Sequence, residues 1–268
     1  MNLVPQVGET KISSKRKIDL SYDHIPTGVV ELDRVLGGGY PIGAFICVQG
    51  DIGTGTSTFC LQTVWNRLTS GGLATYICVD ELPDTVVKHF RSFGYDIDHY
   101  VDAGRFLLYD GLPLINSLAA SSQGQNGVTE RKNLLRNFLE DYKSAACAAK
   151  KRNSPITLPS VSVVDSFSSL APYIDLKTAY VLTHLLADSA RVNKNLFLMI
   201  VHTGAIEANV VCACNAVADG IIRLAQLLKR GTLKRVIRIE KLAFTPTPSE
   251  LLEFKITTRN GLQITSSI

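Results

Sequence analysis

Apolar residues in this chain fall into short unbroken runs separated by amphipathic stretches. The runs at 44–49, 73–79, 105–109, 161–164 and 196–202 have strand length and little alternation, which predicts strands buried on both faces. The stretches at 57–68, 83–93, 134–149 and 176–192 have helical periodicity, with Gly71–Gly72 and Gly94 ending the first two. Near the start, Thr27 is placed to cap a short helix through Leu36, with Val29, Leu32, Val35 and Leu36 on one face and three glycines stopping it. The Ser-, Gln-, Asn- and Gly-rich segment 116–130 reads as a mobile loop, and 149–160 as a basic, Pro-containing connector.

Past residue 204 the pattern changes. Segments 220–224, 233–242, 251–257 and 262–265 read as antiparallel strands, with Arg259-Asn260-Gly261 as a tight hairpin turn. Strands alternating with helices, followed by a meander, predict an α/β fold with a mostly parallel sheet and an antiparallel C-terminal edge. No internal repeat is visible, so residues 18–268 read as one domain behind a polar arm at 1–17.

Composition narrows the class. Hydrophobic residues make up 46% of the 268 and charged residues 19%, enough apolar surface for a real core. The net charge of +4 is too small to imply nucleic-acid binding, although the basic cluster at 13–17 could meet an acidic partner. The longest clean apolar run, 196–201, is far shorter than the roughly 20 residues of a membrane helix. Charges at Lys11, Lys15, Arg16, Lys17 and Asp19 leave no room for a signal-peptide core. The six cysteines include no metal or redox spacing, so they read as small buried hydrophobes and a reducing cytoplasm is expected.

The strongest chemical signal is Gly50-Asp51-Ile52-Gly53-Thr54-Gly55-Thr56-Ser57, followed by Thr58, between a predicted strand and a predicted helix. Glycines let backbone N–H groups converge on an anion, and a helix N-terminus adds its positive dipole. The spacing is that of a phosphate loop, with the Ser57 hydroxyl in the Mg²⁺-holding position. The lysine of that motif is replaced by Thr56. No lysine occurs between Lys17 and Lys88, and Arg67 falls about 15 Å along the next helix. Loss of a charged hydrogen bond, worth about 1.5–3 kcal/mol, weakens nucleotide binding by roughly 10- to 150-fold. It also removes a charge that supports phosphoryl transfer. A ligand-free glycine turn is the plain alternative.

Two acidic sites follow. Asp165 ends an apolar strand, where its carboxylate could order a Mg²⁺-bound water or, with Ser166, Ser168 and Ser169 behind it, cap a turn. Asp80-Glu81 ends another strand, where a carboxylate could activate water, or simply form a charged turn before Pro83. His24, His89, His99, His184 and His202 form no metal spacing; His202 could sense a γ-phosphate or be a satisfied core histidine.

Taken in order, these sites resemble the RecA-type ATPases, most closely the KaiC-like branch. The resemblance rests on Ile25-Pro26-Thr27-Gly28, Leu36-Gly37-Gly38-Gly39-Tyr40-Pro41-Ile42-Gly43, the strand ending at Asp80-Glu81, the strand ending at Asp165, and the segment from Ala218-Asp219-Gly220 to Lys241. It implies a RecA-like fold with ATP and Mg²⁺ as ligands. By position it implies phosphate and metal binding at residues 50–58, with Ser57 and Asp165 on the metal, Asp165 as the Walker B acid, and Glu81 with Asp80 as the water-activating pair. Lys241 would reach a neighbouring subunit's nucleotide in a homo-oligomeric ring. Ala243 stands where the family often has arginine, so cations are missing both in cis and in trans.

The expected function is an ATP-responsive assembly or regulatory subunit with weak or absent hydrolysis, working with other protein subunits. The archaellum accessory proteins of the FlaH type are similar in size. A working ATPase with a neighbour's cation is the first alternative; a ligand-free scaffold and a DNA recombinase paralogue follow. DNA is disfavoured because the candidate loops 116–130 and 204–215 carry no lysine, arginine or aromatic residue. Membrane insertion is not expected, while association with a membrane-bound complex stays open.

Overall fold

The computed structural model describes residues 24–121, 124–153, 156, 158–229, 231–258 and 260–267. The expected arm at 1–17 and Arg259 of the predicted hairpin turn lie outside these residues. The chain opens with β1 (His24–Ile25), α1 (Val30–Val35) and β2 (Tyr40–Pro41), the two strands forming a small antiparallel ribbon. Then come β3 (Phe45–Gly50), α2 (Thr56–Thr69), β4 (Ala74–Cys78), α3 (Pro83–Ser92), α4 (Asp98–Asp102) and β5 (Phe106–Asp110). Two helices, α5 (Leu112–Ala120) and α6 (Gly124–Arg152), lead to β6 (Val161–Asp165), α7 (Leu176–Asn193), β7 (Leu196–His202) and α8 (Ala208–Val217). The chain closes with β8 (Gly220–Lys229), β9 (Thr232–Leu242), β10 (Leu252–Thr257) and β11 (Gly261–Ser267).

Nine strands form one sheet in the order β11-β10-β9-β8-β3-β7-β6-β4-β5. Pairings from β8 through β5 are parallel, and those from β8 outward to β11 are antiparallel. The expected architecture is therefore present, with one refinement. β8 was read as part of the antiparallel meander, but it runs parallel to β3, with Ile46 opposite Gly220 and Gly50 opposite Leu224, and turns antiparallel only toward β9.

Alternation along the central strands divides the core into two layers. Ile46 and Val48 of β3, with Leu196, Leu198 and Ile200 of β7, pack toward Phe59, Val64 and Leu68 of α2 and Phe90 of α3. Phe45, Cys47, Phe197, Met199 and Val201 face the other way, onto Leu182 and Leu186 of α7, Cys214 of α8 and Leu135 and Leu139 of α6. Helices on both faces explain why these strands show no polar alternation in sequence.

Three expectations are corrected. The segment 116–130 is largely helical, belonging to α5 and α6, and α6 runs on to Arg152 into the expected connector. Pro113 in the first turn of α5 and buried Leu114 and Leu118 one turn apart explain the first helix. The 204–215 loop is mostly α8. Thr27 does not cap α1 directly: Val29 is the N-cap, and the Thr27 hydroxyl accepts the Val29 N–H at 3.0 Å, while Asp33 Oδ1 accepts the Thr27 N–H at 2.7 Å. Among the described residues, no helix is long and apolar enough to cross a membrane.

Because Leu198 is fully buried in the middle of the sheet, Leu198→Ala is expected to destabilise the fold by about 2–5 kcal/mol. Urea unfolding of the two proteins measures this.

Candidate functional site

Parallel strands place their carboxyl ends on one edge, and the order β3-β7-β6-β4 lines up four of them. Gly50 ends β3 opposite His202 at the end of β7, and Asp165 ends β6 opposite Cys78, two residues before Asp80. The sequence-predicted residues 50–58, Asp80, Glu81 and Asp165 thus come together. Ile52, Gly53 and Gly55 to Thr58 of the loop, with the three acids, border a cleft of about 330 Å³ that also takes in Tyr76, Cys78, His89, His202 and Ile256, while Gly50, Asp51 and Thr54 lie behind its wall. Arg67 plays no part in it: its Nε donates to the Pro159 carbonyl at 2.7 Å, and the side chain is buried. Lys241 stands at the other end of the sheet, opposite Ile221, with its ammonium donating to the Ala218 carbonyl.

The loop is held from several sides. Thr54 donates through both N–H and hydroxyl to the Asp51 carbonyl, at 3.2 and 2.7 Å. The Thr203 hydroxyl donates to Asp51 Oδ1 at 3.0 Å, and Gln226 of β8 donates to the Gly53 carbonyl at 3.0 Å. Gly55 has φ +105° and is backed by Ile256 of β10, whose Cδ1 would lie 2.8 Å from an added Cβ. Only glycine satisfies both the backbone conformation and that close approach. α2 begins at Thr56, so its positive end and free N–H groups face the cleft. Thr56 itself is buried, its methyl lying close to Gly50.

The carboxylates occupy different environments. Asp165 accepts a hydrogen bond from the Tyr76 hydroxyl through Oδ2, and its Oδ1 is buried with no partner. Burial pushes its pKa up; the hydroxyls of Tyr76 and Ser57 offset this in part. Asp165 is therefore not the cap of the following turn. Asp80 is held by three hydrogen bonds: Oδ1 accepts from Ser166 N at 3.1 Å and Ser169 Oγ at 2.5 Å, and Oδ2 from Ser166 Oγ at 2.9 Å. Glu81 is half-exposed and faces His89 Nδ1 at 3.4 Å. His202 Nε2 lies 3.9 Å from Asp80 Oδ2, its Nδ1 is buried without a partner, and its N–H donates to Ser168 Oγ at 2.7 Å.

Tyr76, Gln226, Ile256 and the orienting serines were not singled out as site residues from sequence, and only tertiary structure brings them in. Strand alternation offered one signal: Tyr76 and Cys78 share a face of β4 and point to the α2 side.

A phosphate-type loop on a RecA-like sheet, with acidic strand ends beside it, defines a nucleotide-binding class of protein. Comparison with known proteins makes the family specific: the model for "ATPase: KaiC" matches residues 25–267, and the chain belongs to that family. It is similar to UPF0273 proteins of Thermotoga maritima (33% identity, over 32% of this chain and 36% of that one) and Pyrococcus furiosus (28%, over 45% and 48%). It is also similar to the circadian clock oscillator protein KaiC of Synechococcus elongatus, at 32% identity over 32% of this chain and 17% of that one. These matches span about half or less of each relative's length. A crystal structure of a KaiC-like protein from Pyrococcus horikoshii shares the fold, with TM-score 0.71, 19% identity, and coverage of 91% of this chain and 100% of that one.

A buried carboxyl with a raised pKa costs stability when it ionises. The cost is absent below the ordinary carboxylate pKa, appears as pH rises, and is complete above the raised folded-state value. Asp165→Asn is therefore expected to raise Tm at pH 7 and to lose that gain near pH 3.5. Thermal melts at the two pH values test this.

Proposed function

We propose that this chain is an ATP-responsive subunit of RecA type that binds Mg-ATP weakly and hydrolyses it poorly or not at all. Nucleotide occupancy would set its association into a ring and with other protein subunits, an accessory subunit of an archaellum-type motor being one such setting. The observation that carries the reading is the charge of the cleft: Asp80, Glu81 and Asp165 border it, and no Lys or Arg is among the described residues that do. Loop N–H groups and the α2 dipole remain to attract phosphate, without the fixed cation that would make binding tight.

The residues fit a magnesium nucleotide. Ser57 lies in the first turn of α2 beside Asp165, whose buried Oδ1 has acceptor capacity left over. Ser57 and Asp165 are the residues we assign to Mg²⁺, which when bound would neutralise phosphate charge. Gly50 through Thr58 cradle the phosphates. Glu81 and Asp80 are the pair we assign to orienting and deprotonating water. Asp80 is fixed by its serines, whereas Glu81 is half-exposed and faces His89. Lys241, at the far end of the sheet from its own loop, is the residue we assign to a neighbouring chain's nucleotide.

Calorimetry with Mg-ATP, with sizing of the same samples, tests the proposal. Heat and a change in size without turnover support it; no heat up to millimolar ATP overturns it and favours a ligand-free scaffold. Thr56→Lys is expected to tighten ATP binding by roughly 10- to 150-fold, with thermal melts checking that the variant folds. Turnover in the assembled state that Glu81→Gln abolishes would instead favour a working ATPase with a cation supplied in trans.

A further inference from the structure

We propose that Asp80, Asp165 and His202 form a binding site for a first-row divalent transition ion that fills without nucleotide. One ligand atom from each of the three lies within 4.8 Å of the others. Asp165 and His202 end neighbouring parallel strands, and Asp80 lies two residues past the end of the third, its N–H donating to the Asp165 carbonyl at 3.1 Å.

An independent observation points to a ligand beyond proximity: Asp165 Oδ1 is buried and makes no hydrogen bond. A buried polar atom without a partner is uncommon and carries a desolvation cost, which coordination would remove. His202 turns Nε2 toward Asp80, at 3.9 Å from its Oδ2. Ser166 and Ser169 orient Asp80 and Tyr76 orients Asp165, as suits carboxylate ligands. Asp80 is exposed, which gives an ion a path in.

The donor set selects the ion. Two carboxylates and an imidazole suit Mn²⁺ through Zn²⁺, whereas Mg²⁺ prefers oxygen ligands and retains its waters. Cys78 borders the same cleft but is not among the three residues whose ligand atoms converge, and its Sγ donates to the Tyr76 carbonyl. An ion here supplies positive charge beside the phosphate loop, in a cleft whose described lining has no lysine or arginine. That consequence rests on the nucleotide reading; the site itself does not.

The test is a Co²⁺ titration of the nucleotide-free chain, followed by visible absorption and calorimetry. The expected result is one ion per chain, with binding that persists in millimolar Mg²⁺ and weakens at least about tenfold in His202→Ala. Because that variant could lose stability, His202→Gln and Asp80→Asn are titrated as well, and Zn²⁺ is expected to raise Tm in the parent chain and not in the variants. Unsaturated binding at millimolar Co²⁺, equal competition by Mg²⁺, or undiminished binding in folded His202 variants would overturn the proposal. The two readings separate cleanly. Mg-ATP heat with no Co²⁺ bound overturns the ion site alone. Co²⁺ bound with no ATP heat upholds the ion site and overturns the nucleotide proposal.

Discussion

A carboxylate taken out of water must be met by hydrogen bonds or by a cation, and Asp165 ends a strand that is buried on both faces. Much of the cleft answers that constraint. Tyr76 reaches it from the adjacent strand, Ser57 from the first turn of α2, and His202 stands on its other flank. One oxygen is still left over. An apolar strand delivering an acid to a shared edge both creates the electrostatic difficulty and focuses it where a charged ligand can relieve it.

The sheet makes that focusing possible. Parallel strands packed on both faces must be apolar along their length, so polar groups can emerge only where the strands stop. Four stops lie side by side at Gly50, His202, Asp165 and Cys78, with Asp80 two residues further on. Chemistry is concentrated there because the rest of the strand surface is committed to two hydrophobic layers.

The same commitment explains what could be read from sequence. Uninterrupted apolar runs and the glycine spacing gave the parallel strands, the phosphate loop and the acids at the strand ends, since each is a local pattern. The segment 116–130 was read as a loop because its Ser, Gln, Asn and Gly residues masked the one-turn spacing of Leu114 and Leu118 and the helix formers from Glu130 onward, although 134–149 was read as helix. The parallel pairing of β8 was hidden because strand direction depends on which neighbour it finds, not on its own residues. The grouping of His202 with Asp80 and Asp165 was invisible for a related reason: the three are separated by 85 and 37 positions in the chain and meet only through strand order.

The phosphate loop touches the antiparallel extension of the sheet as well as its own strand. Gln226 grips the Gly53 carbonyl, and Ile256 presses against Gly55 from β10. Residues of β8 and β10 thus back the loop, so its backbone is held by the antiparallel side of the sheet as well as by its own turn. A loop held in this way before any ligand arrives loses less chain entropy on binding. Under the proposed nucleotide role, what the cleft lacks is fixed positive charge and not order.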